Sequence, residues 1–411
     1  MRSSNPGKMM RILLVNDHSH FGGGGDAVLM LERDLLRQRG HEVFTYAWGP
    51  TPCDGDENGQ TIAPEPKNRV GQRLAKFLGN GAMRRHFRQT LTKIKPDVVH
   101  LHLVSKYPLA VYPELRGYPT LQTLHGPNLF CISGWGNHRK DCSYCPLGIG
   151  WKCFKSGCCS LSQTMLGMAL NRRLYPWLGS VIDEFHSPSM HLRETVTGLG
   201  FKNVEYIPLG IDRCFYEQPI APWPRARSIF FIGALAEQKG VDILLDAFAE
   251  VARSVPDVKL RIAGRGALQP LLERKIRTYG LQDQVELMGF VDRKNALRLY
   301  RESMMVVMPS VWWEQFGMVI PESLASGTPV IGTTVGGIGE QLADTAFGFL
   351  VPPRDPHALA EKILHLLRNP EEAERSGRSA RDLILDKHDP EKYVTALEQE
   401  MRRLWEKKKC D

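Results

Sequence analysis

Short apolar runs alternate with longer stretches of helical periodicity along most of the chain. Met10–Val15 (MRILLV) has the pattern of a strand buried on both faces. A glycine-rich loop, Phe21–Gly25, follows it. Ala27–Arg39 then carries Val28, Leu31, Leu35 and Leu36 at helical spacing, and Gly40 ends that helix. Glu42–Tyr46 (EVFTY) restarts a strand, which completes a βαβ unit of the doubly wound type. Further strands are expected at Asp97–Leu103, Thr120–Leu124, Val181–His186 and Val204–Ile207. A second series opens with Ser228–Gly233 (SIFFIG) and a helix over Val241–Ser254. Its strands are expected at Val258–Ala263, Val285–Met288, Met305–Met308 and Pro329–Ile331.

Two blocks of alternating strands and helices predict two α/β, Rossmann-like domains facing each other. The expected boundaries are 1–208 and 225–388. The linker is Leu209–Arg227, which holds Pro219, Pro222 and Pro224. A last helix in 389–411, over about Pro390–Lys408, is expected to cross back to the N-terminal domain.

The 411 residues suffice for two domains with their own cores. No apolar stretch approaches the ~20 residues of a membrane span. Residues 1–9 lack the apolar segment of a secretion signal, so a cytoplasmic location is the expectation. The net charge of +8 favours polyanionic partners, although mild basicity has no specific meaning by itself.

The most informative segment is Pro309–Glu340, PSVWWEQFGMVIPESLASGTPVIGTTVGGIGE, in which seven residues separate Glu314 from Glu322. A helix beginning near Phe316–Ile320 would offer free N–H groups and a positive dipole end, a natural seat for a diphosphate. Glu322 on the next turn could accept two ribose hydroxyls, and Glu314 in the loop could reach a sugar. The glutamate spacing alone is weak; the surrounding sequence makes it specific.

Taken in order, these segments resemble glycosyltransferase family 4, enzymes with the GT-B fold. The likeness runs through Gly23-Gly24, RGHEV (Arg39–Val43), KPDVVHLH (Lys95–His102), TLHGP (Thr123–Pro127), SPS (Ser187–Ser189) and IPLGID (Ile207–Asp212). It continues in IGALAEQKGVDILLDAF (Ile232–Phe248), IAGRG (Ile262–Gly266), MGFV (Met288–Val291) and the paired-glutamate block.

The resemblance implies a retaining transferase that moves a sugar from a nucleotide-sugar donor to a glycan or lipid-linked acceptor, in polysaccharide or glycolipid biosynthesis. By the same resemblance Glu322 binds the donor ribose, Glu314 contacts the transferred sugar and Lys239 neutralises the leaving diphosphate. Phe316 and Gly317 belong to the donor site. His125 lies near the sugar, at the cleft between domains. Gly23 and Gly24 let the backbone approach diphosphate and acceptor. Lys239 and helix N–H groups can stabilise the departing anion without a metal, so no cofactor is implied for catalysis. In a front-face substitution the leaving phosphate takes the acceptor proton, and no protein nucleophile is assigned.

One position departs from the family. Ala234 stands where an arginine often follows the strand glycine. Arg265, in the Gly264–Gly266 turn, is the candidate replacement; otherwise the diphosphate clamp is weaker or built differently. Gly264 and Gly266 fit a simple tight turn equally well. His18 and His20 flank the glycine loop and fit a structural role at least as well as a functional one.

Six of nine cysteines fall within a cysteine-rich insertion, 131–159. Cys142 and Cys145 have metal-ligand spacing, with Cys153 and Cys158 to complete a structural zinc site. The spacing of the second pair is not that of a clean knuckle. Zinc, free or paired thiols, and an iron–sulfur cluster all remain open. Some polysaccharide-assembly members of the family carry a similar loop.

The segment Lys67–Lys95 holds nine cations and no acid, interleaved with Leu74, Phe77, Leu78, Met83, Phe87 and Leu91. It reads as a basic amphipathic surface for an anionic membrane, at the inner face, or as an ordinary solvated helix pair. Two rival functions stand beside the transferase. One is a GT-B nucleotide-sugar epimerase or phosphorylase, disfavoured by the paired-glutamate block. The other is a zinc-dependent nucleic-acid-binding protein. Its cysteines and cations lie in separate segments with no stacking aromatics, so nucleic acid is not an expected partner.

Overall fold

The computed structural model describes residues 8–19, 23–49, 60–65, 71–72, 79–127, 130–131, 138, 145, 148–223, 225–343 and 348–410; the side chains of 170–175 are outside the description. His20, Lys67, Arg69, Arg73, Lys76 and Cys142 therefore lie outside the described residues.

The described strands form two sheets, all of whose pairs are parallel. The first contains β1 (Arg11–Asn16), β2 (Glu42–Trp48), β3 (Gln60–Ala63), β4 (Val98–Leu101), β5 (Thr120–Thr123), β6 (Glu184–Ser187) and β7 (Val204–Tyr206), in the order β3-β2-β1-β4-β5-β6-β7. The second contains β8 (Ser228–Ile232), β9 (Lys259–Ala263), β10 (Val285–Gly289), β11 (Met305–Met308), β12 (Val330–Thr333) and β13 (Gly348–Val351), in the order β10-β9-β8-β11-β12-β13. Each is a doubly wound sheet in which the order reverses between its first and fourth strands. Central strands are apolar without alternation because helices cover both faces. Ile12, Leu13, Leu14 and Val15 have no exposed surface, and Leu13 sits opposite Phe44 and Val99.

The chain divides into two compact units. One takes the described residues before Gly134, Leu147–Gly210 and the C-terminal helix; the other is built on Ile211–Asp389. The C-terminal helix, Pro390–Cys410, is fastened into the first unit by side chains on several of its turns. Arg39 bonds Glu391 at 2.9 Å and Glu398 at 3.1 Å. Arg402 bonds the Lys8 carbonyl, Lys408 pairs with Asp183, and Tyr393 reaches Glu32 at 3.1 Å.

Two expectations need correction. Val181 belongs to the helix Leu161–Val181, and the strand begins only at Glu184. The helix has a strong start, a capping box of Ser160 and Gln163, and Ile182 N–H still bonds back to Leu178. In the basic segment, Asn80 caps the helix Gly81–Ile94. Its apolar stripe of Met83, Phe87 and Leu91 is buried in the first unit, so these side chains are not a free apolar face. Tertiary structure brings an acid to this acid-free segment, because Glu114 pairs with both Arg84 and Arg88.

Candidate active site

In the second unit, the functional loops leave the carboxyl ends of β8 and β11, the strands that flank the reversal. Ligands of doubly wound sheets bind at such points. The β8 loop reaches Lys239 through a single 3-10 turn, Glu237–Lys239. It packs directly on the β11 loop. Gly240 has φ +64, and a Cβ there would lie 2.0 Å from the Pro309 carbonyl oxygen. Val311 N–H bonds the Gln238 carbonyl at 2.9 Å. The loop bearing Glu314 is held from its other side by Gly336-Gly337. Gly337 N–H bonds the Glu314 carbonyl at 2.6 Å, and a Cβ on Gly336 would lie 2.4 Å from that oxygen. Glycine is required wherever backbones approach this closely.

This packing brings Lys239 Nζ to 2.5 Å from Glu314 Oε1. Ser310 Oγ donates to the same oxygen at 3.0 Å, and the ammonium lies 4.9 Å from the centre of the Trp312 ring. Glu314 is 5% exposed, whereas the Lys239 side chain remains 26% exposed. A buried carboxylate is thus matched by a cation that keeps access to solvent, and so to a ligand.

Glu322 lies on the short helix Val319–Ala325, whose N-terminus has no side-chain cap. The helix begins at Val319, within the expected span, and Ile320 N–H bonds the Gly317 carbonyl at 3.0 Å. Tyr300 Oη donates to Glu322 Oε2 at 3.0 Å. Burial pushes the Glu322 carboxyl up to about 7, although Tyr300 and Arg293 pull it down. Arg293 itself pairs with Asp212 at 2.9 Å. Phe316 is buried edge-on against His388, and Gly317 has φ +79.

Gly264 and Gly266 have a structural explanation. Added Cβ atoms would lie 1.8 Å from the Gly233 oxygen and 2.3 Å from the Leu235 oxygen. Leu235 N–H bonds the Arg265 carbonyl at 3.0 Å, which sets exposed Arg265 against the loop that carries Ala234. A cavity of about 560 Å³, lined by Arg225, Lys294, Arg298 and Arg301 among others, is separate from Lys239, Glu314 and Glu322.

In the first unit, Gly23 precedes the helix Gly24–Gln38 in extended conformation. Gly25 lies against His125, where an added Cβ would be 3.4 Å from the ring. His125 Nε2 is 2.9 Å from His102 Nδ1. Burial and three neighbouring imidazoles hold His125 well below the ordinary histidine range, so it is neutral at pH 7. Behind it, His100 Nδ1 is 2.5 Å from Glu32 Oε1. Burial would raise Glu32, but His100 and His102 outweigh it and lower this carboxyl. Among the described residues, Glu32, His100 and His102 alone have side-chain atoms near enough to share a metal ion. Two ligands ~2 Å from one tetrahedral ion sit more than ~3 Å apart, so the 2.5 Å contact is that of a hydrogen bond. Cys153 and Cys158 are free thiols, and among the described residues no group of cysteines is near enough to share a metal ion.

Sequence reasoning gave no role to Glu32, His100, His102, Tyr300, Ser310 or Trp312. A signal did exist for the histidines: residues two apart share a face of a strand, and His100 and His102 both fall in the expected strand Asp97–Leu103. Nothing in the spacing marks Tyr300 as the partner of Glu322.

The fold and the loops at β8 and β11 define a GT-B glycosyltransferase. The chain matches the model for "Glycosyltransferase Family 4" over residues 21–214 and that for "Glycosyl transferases group 1" over 218–383. It is 30% identical to the phosphatidyl-myo-inositol mannosyltransferase of Mycolicibacterium smegmatis, over 88% of this chain and 85% of that one. It is 27% identical to the glycogen synthase of Mycobacterium tuberculosis, over 74% of this chain and 68% of that one. Among solved structures it resembles sucrose-phosphate synthase from Thermosynechococcus elongatus, with TM-score 0.74, 21% identity and coverage of 96% and 98%. It also resembles Anabaena HepE in complex with UDP and glucose, with TM-score 0.70, 18% identity and coverage of 95% and 98%. The chain belongs to glycosyltransferase family 4. No described helix is long and apolar enough to cross a membrane.

Proposed function

We propose that the protein transfers a sugar from a nucleotide-sugar donor, with retention of configuration, to a glycan or lipid-linked acceptor. The observation that supports this best is the Lys239–Glu314 contact where the second sheet reverses order. The complex of HepE with UDP and glucose gives the donor class by likeness. In this reading Glu322 accepts the ribose hydroxyls and the Phe316-Gly317 turn lies beside the diphosphate. Lys239 moves its charge from Glu314 to the leaving diphosphate, while Arg265 replaces the cation missing at Ala234. Glu314 then faces the sugar. Anion stabilisation of this kind lowers the barrier because the charge forms where cations already wait. His125 is assigned to the sugar on the family resemblance.

The cations Arg85, Lys93 and Lys95, all exposed, support contact with an anionic membrane surface by charge alone. The test is incubation with a panel of nucleotide sugars and acceptors, with the product anomer read by NMR. A glycosidic product with the donor's configuration is expected. An inverted product would overturn retention. A free epimerised nucleotide sugar, or a sugar phosphate made from glycan and phosphate, would replace the transferase by its rivals.

A further inference from the structure

A hydrogen-bonded chain and a second line of close contacts start from Glu32, and their protons can be counted. The first runs from Glu32 Oε1 to His100 Nδ1 (2.5 Å), from His100 Nε2 to Thr123 Oγ1 (2.7 Å), on to His186 Nδ1 (2.9 Å), and from His186 Nε2 to the Ile207 carbonyl (2.7 Å). Both ends are acceptors, so these four contacts need four protons. Two neutral imidazoles and one hydroxyl supply three. Burial brings His186 down to about 4, so it is neutral and cannot hold the fourth; burial lowers His100 as well, but there the Glu32 carboxylate in direct contact opposes it. That proton lies between His100 and Glu32, the shortest contact in the chain. The buried set therefore carries no net charge, as a dry interior requires.

The second line runs from Glu32 Oε2 to His102 Nε2, an ion-pair contact at 3.4 Å in which the buried nitrogen makes no hydrogen bond, and then from His102 Nδ1 to His125 Nε2 by a hydrogen bond of 2.9 Å. Oε2 already accepts the Tyr393 hydroxyl at 3.1 Å and meets His102 as an acceptor. A bare Nε2 on His102 would set lone pair against lone pair. His102 therefore turns Nε2–H to Glu32 and its bare Nδ1 to His125. His125 must donate from Nε2, which leaves its own Nδ1 bare. Gly25 presents no side chain to that edge, where a Cβ would lie 3.4 Å from His125 Nδ1.

We propose that Glu32 and His102 are positioning residues that hold His125 as the Nε2–H tautomer, so that its Nδ1 accepts a hydrogen bond from a hydroxyl of the bound sugar or acceptor. The bare nitrogen disfavours a phosphate oxygen at the same spot. The inference rests on the reading of His125 given above.

The test is long-range ¹H–¹⁵N NMR on histidine-labelled protein, with His125 assigned by its loss in His125→Ala. In the wild type, His125 is expected protonated at Nε2 and bare at Nδ1. In Glu32→Gln the amide N–H faces His102 Nε2, the chain reverses, and His125 becomes protonated at Nδ1. Transfer kcat is expected to fall about tenfold or more, since a wrong imidazole tautomer disables a catalytic histidine without removing it. An Nδ1–H His125 in the wild type, or no tautomer change in Glu32→Gln, overturns the proposal. If Glu32→Gln does not fold, His102→Phe decides, since it keeps a ring but removes the acceptor. His125 should then show both tautomers, and a pure Nε2–H form would overturn the proposal. Full transfer activity in His125→Ala would instead refute the catalytic reading of His125 and leave the tautomer result standing.

Discussion

Beside the carboxyl ends of β1 and β4 the first unit gathers Glu32, His100 and His102, with side chains wholly buried and packed against one another. At the corresponding ends of β8 and β11 the second unit keeps Lys239 partly open, and its Glu322 lacks the charge compensation that a full set of donors would give. The first six strands follow the same order in both units, and the treatment of charge is opposite. A closed network gives up its capacity to bind in exchange for fixed orientation. An open one stays incomplete until a ligand arrives. The contrast matches the proposed division between residues that position and residues that bind, a distinction invisible in the residue types themselves.

The largest effect should come from breaking the closed network. Glu32→Ala strands His100 with an uncompensated proton and is expected to lower the unfolding free energy by about 3–5 kcal/mol, measured by urea denaturation. A loss below about 1 kcal/mol would mean that the network carries little of the stability of the first unit.

The next effect sharpens the other side. Lys239→Ala is expected to reduce kcat/KM by about 10²–10³-fold, the usual loss when one preorganised stabiliser of a developing anion is removed. Its effect on stability should be smaller than that of Glu32→Ala, because Lys239 is partly solvated. Comparable losses of stability from both variants would erase the distinction between the units.

A third effect depends on pH. The Glu322 carboxyl is raised by burial to about 7, from 4.5 when unperturbed. The folded protein therefore retains this proton where the unfolded chain has lost it, so the contribution of Glu322 to stability falls as pH rises from about 4.5 to 7. The full effect is on the order of 3 kcal/mol. Glu322→Gln should flatten it in thermal melts taken across that window. Donor affinity should move the other way. Hydroxyls donate to the carboxylate, so binding should strengthen as pH rises through 7, about tenfold between pH 6 and 8.

Much of this was legible before any coordinates. The helix Val241–Ser254 and the strand Met305–Met308 have the boundaries their patterns predict, since a buried apolar run has few other places to go. The pattern failed at Val181, where one more helical turn competed with the start of a strand and a capped helix won. It also misled over Met83, Phe87 and Leu91, whose stripe is amphipathic whether it faces lipid or a protein core. In the second unit Lys239, Glu314 and Glu322 could be named from sequence, because a few local motifs contain them. Their mutual contact could not, since it depends on Gly240 and Gly336 admitting two backbones from distant segments. The network around Glu32 was harder still. Its members come from a helix, three strands and the C-terminal helix, and only the fold brings them together.

The proposed function turns on whether the second unit holds a nucleotide-sugar donor through Glu322. The most direct measurement is the melting temperature of the wild type and of Glu322→Ala across a panel of nucleotide sugars. A ligand that binds the folded state alone raises it by mass action. A rise is expected for at least one donor in the wild type, and a much smaller rise in Glu322→Ala at the same concentration. An equal rise in both proteins, or none in the wild type with any donor, would contradict it.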